Sequence, residues 1–259
     1  MTQDRLYQMN PQGRFRDRAE DYAKYRPSYP TAAIDCILEG LGTLSQLIAA
    51  DIGAGTGISS RLLGYRGVKV IAIEPNAAMR QVAEAHPLVE FRDGNAEHTK
   101  LEDNSVDLVT CFQSFHWFNP EPTLREFARI LKSESKLAAI WNNRDRTDEF
   151  TREYSHLTQT VSNNQSEMRY GTERFLRQTS LFSGVNLLVF PYQQALDRRG
   201  LVGRAMSTSY IPKTGKLSEE FTRKLNELYD KHCDKKGLVY LKYNTNVYLT
   251  SLLLSTNHV

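Results

Sequence analysis

Leu47-Ile48-Ala49-Ala50-Asp51-Ile52-Gly53-Ala54-Gly55-Thr56-Gly57 decides how the rest of the chain is read. An apolar run, Leu47 to Ala50, enters this stretch, and Ile58-Ser59-Ser60-Arg61-Leu62-Leu63 reads as the helix that leaves it. Glycines at three alternate positions let the turn adopt positive φ and let a bound molecule lie directly against the backbone. The helix that follows aims unpaired N–H groups, and the positive end of its dipole, at whatever occupies the turn. A glycine-rich surface loop is the plain alternative. The position between strand and helix, with an acid at Glu74 ending the next strand, favours a nucleotide-type site.

Outward from this turn the pattern alternates. Val68 to Glu74 is a nearly continuous β-branched run, as expected of a strand covered on both faces, and Asn76 to Ala85 reads as a helix. Strand signals recur at Leu88 to Arg92, Val106 to Phe112 and Leu137 to Trp141. Asn119-Pro120 has the form of an N-cap followed by proline at the first helical position, with Leu124, Phe127, Ala128 and Leu131 as the buried stripe. Upstream, Arg14 to Tyr25 spaces Phe15, Ala19, Tyr22 and Ala23 as a short helix, and Thr31 to Glu39 follows the prolines Pro27 and Pro30. Downstream, Asn142 to about Phe182 is polar and helix-like, Val185 to Tyr192 reads as a strand and Gly200 to Pro212 is mixed. Leu217 to Cys233 is an amphipathic helix, and Leu238 to Leu254 returns to strand. The predicted fold is α/β: a Rossmann-like, seven-stranded, mostly parallel sheet with helices on both faces, plus a helical N-terminal arm and helical insertions in the second half. The expected division is an arm over 1–45, a cofactor-binding core over 46–142 and the remaining sheet with substrate-covering insertions over 143–259.

The bulk numbers narrow the class. At 259 residues the chain can bury a substantial core without staples. Cys36, Cys111 and Cys233 are odd in number and far apart, so neither a disulfide framework nor a zinc site is suggested, and no metal is expected. The charged start of the chain does not resemble a signal peptide, and no stretch offers about 18 uninterrupted apolar residues. These features lead to the expectation of a cytoplasmic, membrane-free protein, monomeric or homodimeric. With 33 basic and 30 acidic residues the net charge is +3, and no basic run implies nucleic acid.

Two ligand classes use a glycine turn after the first strand and an acid ending the second. A dinucleotide wants G-x-G-x-x-G, and an acid just before that turn would repel its pyrophosphate. Here the spacing is G-x-G-x-G, and Asp51 sits two residues before the first glycine. A ligand without phosphate and with a cationic amino group suits that carboxylate better.

Asp51-Ile52-Gly53-Ala54-Gly55-Thr56-Gly57 resembles the first motif, D-x-G-x-G-T-G, of the class I S-adenosylmethionine-dependent methyltransferases. Gln113-Ser114-Phe115-His116-Trp117-Phe118 and the opening Tyr22-x-x-Tyr25-Arg26-Pro27-x-Tyr29-Pro30 resemble the branch that includes trans-aconitate methyltransferase-like proteins. The resemblance covers roughly residues 15–141 and implies S-adenosylmethionine as cofactor, with S-adenosylhomocysteine as its product. It implies Asp51 near the methionine moiety, Gly53, Ala54, Gly55, Thr56 and Gly57 against the cofactor, and Glu74 on the ribose hydroxyls. Met79 or Asn76 would flank the adenine, and Pro75 is a further cofactor-side residue. Gly94, Asn95 and Ala96 match the stretch after the third strand, with Asn95 in place of the family's acid, and Gln113 and Ser114 follow the fourth.

Methyl transfer is an in-line displacement, helped most by holding the reacting atoms collinear in a water-poor, aromatic-walled site. Tyr22, Phe115, Trp117 and Phe118 are candidate walls, and Tyr210 a candidate lining residue of the acceptor pocket. A general base is required only for an acceptor that must lose a proton, and His116 is the candidate. A carboxylate acceptor needs a guanidinium clamp instead, with Arg26, Arg144 and Arg204 as candidates. The expected partner is therefore a small-molecule acceptor. A nucleic-acid or protein methyltransferase, a cofactor-binding module without turnover, and a dehydrogenase remain the alternatives. Against a base methyltransferase, the chain lacks [D/N/S]-P-P-[Y/F/W] after the fourth strand.

Overall fold

Alternation of buried residues along the strands builds the architecture. In the computed structural model, which describes residues 19–162 and 171–253, seven strands form one sheet in the order β3-β2-β1-β4-β5-β7-β6. The strands are β1 (Ile48–Ile52), β2 (Lys69–Ile73), β3 (Val89–Arg92), β4 (Val106–Phe112), β5 (Leu131–Arg144), β6 (Asn186–Leu196) and β7 (Val239–Ser251). The first five run parallel, and β7 lies antiparallel between β5 and β6. Neighbouring residues go to opposite faces: Ala49, Leu108 and Ala138 join one core, Ala50, Val109 and Ala139 the other. Both faces are therefore covered, as the continuous apolar runs require.

Helices α1 (Ala19–Tyr25), α2 (Thr31–Leu38), α3 (Ile58–Gly64), α4 (Ala77–Gln81) and α5 (Pro120–Ile130) accompany the parallel half. On α2, Ile34, Ile37 and Leu38 are buried at the spacing the sequence indicated. On α5, Leu124, Phe127 and Ile130 face the core behind an Asn119 N-cap and Pro120, while Leu131 already begins β5. Phe15 of the arm lies outside the described residues.

Two expectations need correcting, and a third, the helix-like stretch after Asn142, holds for the described residues. The helix expected over 76–85 stops at Gln81, because the chain turns back to seat the His86 ring on Gly64, where an added Cβ would approach it to 2.7 Å. The segment expected to be mixed over 200–212 contains a helix, α8 (Arg198–Met206), capped by the Asp197 carboxylate accepting from Gly200 N at 2.6 Å. Its two glycines hide the pattern, and Gly203 is required: the Tyr25 ring would lie 2.4 Å from any Cβ there, so the arm docks into this notch. Between Asn142 and Phe182, the described residues hold helices α6 (Glu149–Val161) and α7 (Arg174–Gln178).

The amphipathic helix α9 (Lys216–His232) packs with α6 and α8 around Tyr154, Leu201, Phe221 and Leu225, and the first half of β7 supplies Leu241 and Tyr243 to the same cluster. Among the described residues, no helix is long and apolar enough to cross a membrane. The chain leaves β1 toward β2 on one side, while β4 and β5 continue on the other. The carboxyl ends of β1 and β4 therefore flank a crevice at a topological switch point, where ligands of open α/β sheets bind.

Candidate active site

The glycine turn forms one wall of that crevice. Gly53, Gly55 and Gly57 have φ of +68°, +59° and +76°, the left-handed conformation expected of them. At Gly57 an added Cβ would also meet the Phe91 ring at 2.7 Å. We expect Gly57→Ala to destabilise the protein by about 2–3 kcal/mol from left-handed strain and overpacking. Urea unfolding measures it, and an unchanged midpoint would refute the constraint.

Asp51 does not face the crevice. Its carboxylate is fully buried and accepts from Ser59 Oγ at 2.6 Å, Ser60 Oγ at 2.7 Å and Thr110 Oγ1 at 3.0 Å. It braces the first turn of α3 against β4, and burial pushes its pKa up despite the three hydroxyls. The carboxylate thus supports the glycine turn from beneath.

Glu74 stands at the end of β2, with Oε2 accepting from Gly55 N at 2.9 Å and Oε1 from Asn76 N at 2.8 Å. It ties the glycine turn to the α4 cap, and burial raises its pKa. Pro75 lies between these two contacts. Asn76 caps α4 by accepting from Ala78 N, and Met79 is buried beneath. After β3, Gly94 and Ala96 are buried, and the Asn95 amide oxygen accepts from His98 N at 2.8 Å rather than standing open to an adenine. That loop is tied to α5 by Glu126, which accepts from Thr99 N and Oγ1. Burial opposes its ionisation, but Arg129 and Thr99 outweigh it and hold the pKa down to about 2.

The other wall follows β4. Gln113 takes φ +56°, and Ser114 Oγ donates to Ile52 O at 2.7 Å, joining the two strand ends. A 3-10 turn over Phe115–Trp117 then points its residues apart. Phe115 is 1 % exposed and packs edge-on against Trp141 and Phe118, so it belongs to the core and not to the pocket wall. His116 and Trp117 do line the cleft, with Trp117 stacked on Tyr210 at 6.2 Å.

Opposite the turn, residues of α1, α8 and β7 line the same cleft as the glycine turn. Of the predicted acceptor-side residues, Tyr22, Arg26, His116, Trp117, Arg144, Arg204 and Tyr210 are brought together here. Sequence reading missed Arg146, Asn142, Ser59 and Tyr243, which line it too. Position at the carboxyl end of β5 could have flagged Asn142. Tyr243 is indistinguishable in sequence from any other inward residue of a strand.

The electrostatics of the cleft are one-signed. Its described lining includes Arg26, Arg144, Arg146 and Arg204 and no aspartate or glutamate. Arg26 lies over the Tyr22 ring at 4.5 Å and donates to Ser207 O at 3.0 Å, and burial together with the neighbouring Arg204 lowers its pKa to about 10. Burial also opposes the charge of Arg204, but the Tyr243 and Tyr154 phenols outweigh it and its pKa is raised. Arg26 Nε and Arg204 Nε are buried without hydrogen-bond partners, as are the Tyr154 and Tyr243 hydroxyls. Arg144 stacks on Tyr154 at 4.6 Å and donates to Thr158 Oγ1 at 2.6 Å.

The residues present fit an adenosine-type methyl donor. Three left-handed glycines leave the turn bare, Thr56 Oγ1 is buried there without a partner, and an acid ends β2.

The methyltransferase-domain family model matches residues 50–139. An uncharacterized methyltransferase-like protein of Schizosaccharomyces pombe is 38 % identical over 135 residues, covering 51 % of this chain and 53 % of its own length. An uncharacterized methyltransferase of Mycobacterium tuberculosis is 37 % identical over 137 residues, 52 % of this chain and 55 % of its own. The chain thus spans about half the length of the curated relatives it matches. A solved structure from Anaeromyxobacter dehalogenans, described as a type II methyltransferase, shares the fold with a TM-score of 0.63 at 19 % identity, over 88 % of this chain and 97 % of that one. Residues 50–139 therefore match a methyltransferase domain, and the described fold is the one seen in that solved structure.

Proposed function

We propose that the chain transfers a methyl group from S-adenosylmethionine to a carboxylate oxygen of a small-molecule acceptor. The observation that carries this reading is the cleft facing the glycine turn, whose described lining holds four arginines, two with buried and unpaired Nε groups, and no aspartate or glutamate. A fork of guanidinium donors suits a carboxylate, and the aromatic walls exclude water.

Bound at the glycine turn, the cofactor supplies a methyl group on a sulfonium. Glu74 and the turn would orient it, with Asp51 acting through the turn it braces. Arg26 and Arg204 would hold the acceptor from the opposite side, with Trp117 and Tyr210 closing the flank. A carboxylate oxygen brings its own electron pair: a C–O bond forms, the C–S pair leaves on sulfur, and no proton has to be removed. Collinear positioning is then the principal contribution of the chain.

Titration calorimetry of the purified protein should give saturable binding of S-adenosylmethionine and S-adenosylhomocysteine. At about a hundred times Kd, either should stabilise the fold by about 2.7 kcal/mol in a thermal scan, where nicotinamide dinucleotides give no shift. Labelled methyl groups transferred from a panel of carboxylic acids should be released as methanol by mild alkali, the mark of an ester. Label that survives alkali, or no transfer to any carboxylate, would overturn the acceptor assignment.

A further inference from the structure

Two guanidinium groups meet in the cleft without a compensating charge. Each is tethered at one arm to the end of α8: Arg26 Nη2 donates to Ser207 O at 3.0 Å, and Arg204 Nη1 to Thr208 Oγ1 at 3.4 Å. Their Nε–H edges are left over. Both Nε atoms are buried and meet no hydrogen-bond acceptor, and the buried Tyr154 hydroxyl has no partner either. These groups share one neighbourhood, because Tyr154 and Tyr243 are within electrostatic reach of both arginines, and Arg204 is within reach of Arg26. Four separate pieces of chain deliver them: Arg26 follows α1, Tyr154 lies on α6, Arg204 on α8 and Tyr243 on β7. A buried cation is costly without a counter-charge, and Arg26, whose pKa is lowered to about 10, keeps its proton at neutral pH. The described lining holds no aspartate or glutamate to offset it. The missing charge has to come from a solute.

We propose that, in the acceptor-free protein, Arg26, Arg204 and Tyr154 hold a small inorganic anion such as chloride, and that an acceptor carboxylate enters the cleft by displacing it. The displacement rests on the carboxylate reading given above, whereas the anion site itself stands without it. A halide accepts hydrogen bonds from any direction, which suits donors that arrive from separate elements. Guanidinium groups only donate, so no rearrangement within the pair can satisfy both Nε edges. Filling the cleft is then an exchange of one anion for another. Chloride should compete with the acceptor and leave the glycine turn untouched.

Halides are the probes. Crystals of the ligand-free protein soaked in bromide should give an anomalous peak within hydrogen-bonding distance of Arg26 Nε and Arg204 Nε. Water alone at that position overturns the inference. In solution, the wild type should broaden the chloride NMR line, and Arg204→Met should abolish the broadening. Tyr154→Phe removes a donor without changing net charge and should weaken chloride about tenfold. An unchanged affinity there would assign the binding to net charge and overturn the site. The bromide experiment needs no substitution, so a variant that fails to fold leaves the test intact. With ionic strength held constant by a bulky sulfonate, chloride raised from about 5 to about 200 mM should lift the melting temperature of the ligand-free wild type by about 3–5 °C. Over the same range KM for a carboxylate acceptor should rise about tenfold, with kcat and S-adenosylmethionine affinity unchanged. A KM that ignores bound chloride overturns the displacement. Failure of the carboxylate reading registers separately: bromide would still occupy the site while no carboxylate accepts the methyl group, and the displacement would fall with that reading.

Discussion

Arg204→Met is expected to lower kcat/KM toward a carboxylate acceptor by roughly 10²–10³-fold, the loss of about 3–4 kcal/mol of buried, charge-assisted contact. The same variant should leave S-adenosylmethionine affinity within about threefold of wild type. The ligand-free protein, without chloride, should melt no lower than the parent. Arg204 is 5 % exposed, sits beside Arg26 and has no carboxylate with it among the described residues of the cleft lining. The like-charge penalty falls on Arg26, whose pKa Arg204 helps to lower, and a methionine of similar length relieves that repulsion while keeping the packing. Activity, calorimetry and a thermal scan on one preparation separate these effects. A melting temperature that falls with activity would assign Arg204 to structure, and an unchanged kcat/KM would remove it from the acceptor site. Arg204→Lys should fall between, since it keeps the charge but not the fork.

Glu74→Gln should weaken S-adenosylmethionine by roughly 10–100-fold. The carboxylate accepts from both Gly55 N and Asn76 N, whereas an amide offers one acceptor and turns an N–H₂ toward the other backbone donor. The pH dependence has two opposed signs. Burial raises the Glu74 pKa above its ordinary 4.5, so the folded protein binds this proton more tightly than the unfolded chain. The contribution of this group to stability is therefore fully present below pH 4.5 and is lost as pH rises through the raised value. Cofactor affinity moves the other way, because a protonated carboxyl stops accepting from the turn. Calorimetry across that interval should show affinity falling toward acid. The wild type, compared with Glu74→Gln by urea unfolding, should gain stability over the same range. Parallel slopes would contradict the role assigned to Glu74.

What the sequence discloses and what it hides divide by distance along the chain. The glycine turn and Glu74 are legible because a left-handed turn and a strand end are local events. Asp51 is legible as important but not in its direction: Ser59 and Ser60 read only as a helix start, yet their hydroxyls turn the carboxylate inward. The acceptor side depends on residues that meet only in three dimensions. Arg26 reaches Ser207 O across 181 positions, and β7 delivers Tyr243 to the cleft by antiparallel pairing, in which Arg144 lies opposite Tyr243. The hydrogen bond from Trp141 Nε1 to His116 Nδ1 spans two parallel strand ends, and no periodicity within either strand announces it. Helix α8 was obscured by Gly200 and Gly203, which lower helix propensity but admit the Asp197 cap and the Tyr25 ring.

The position of β7 has a consequence for synthesis on the ribosome. This strand separates β5 from β6, and it is translated after both. While the chain is being made, one side of β5 stays an open edge of unpaired backbone groups until residues up to Ser251 have emerged. Until then β6, with Leu187 and Val189 still exposed in the finished fold, has no neighbour in the sheet. Nascent chains halted between β6 and β7 should therefore be the form most prone to strand-to-strand association and to capture by chaperones. The arginine cleft, which needs Tyr243 opposite the glycine turn, closes only when that strand slots in.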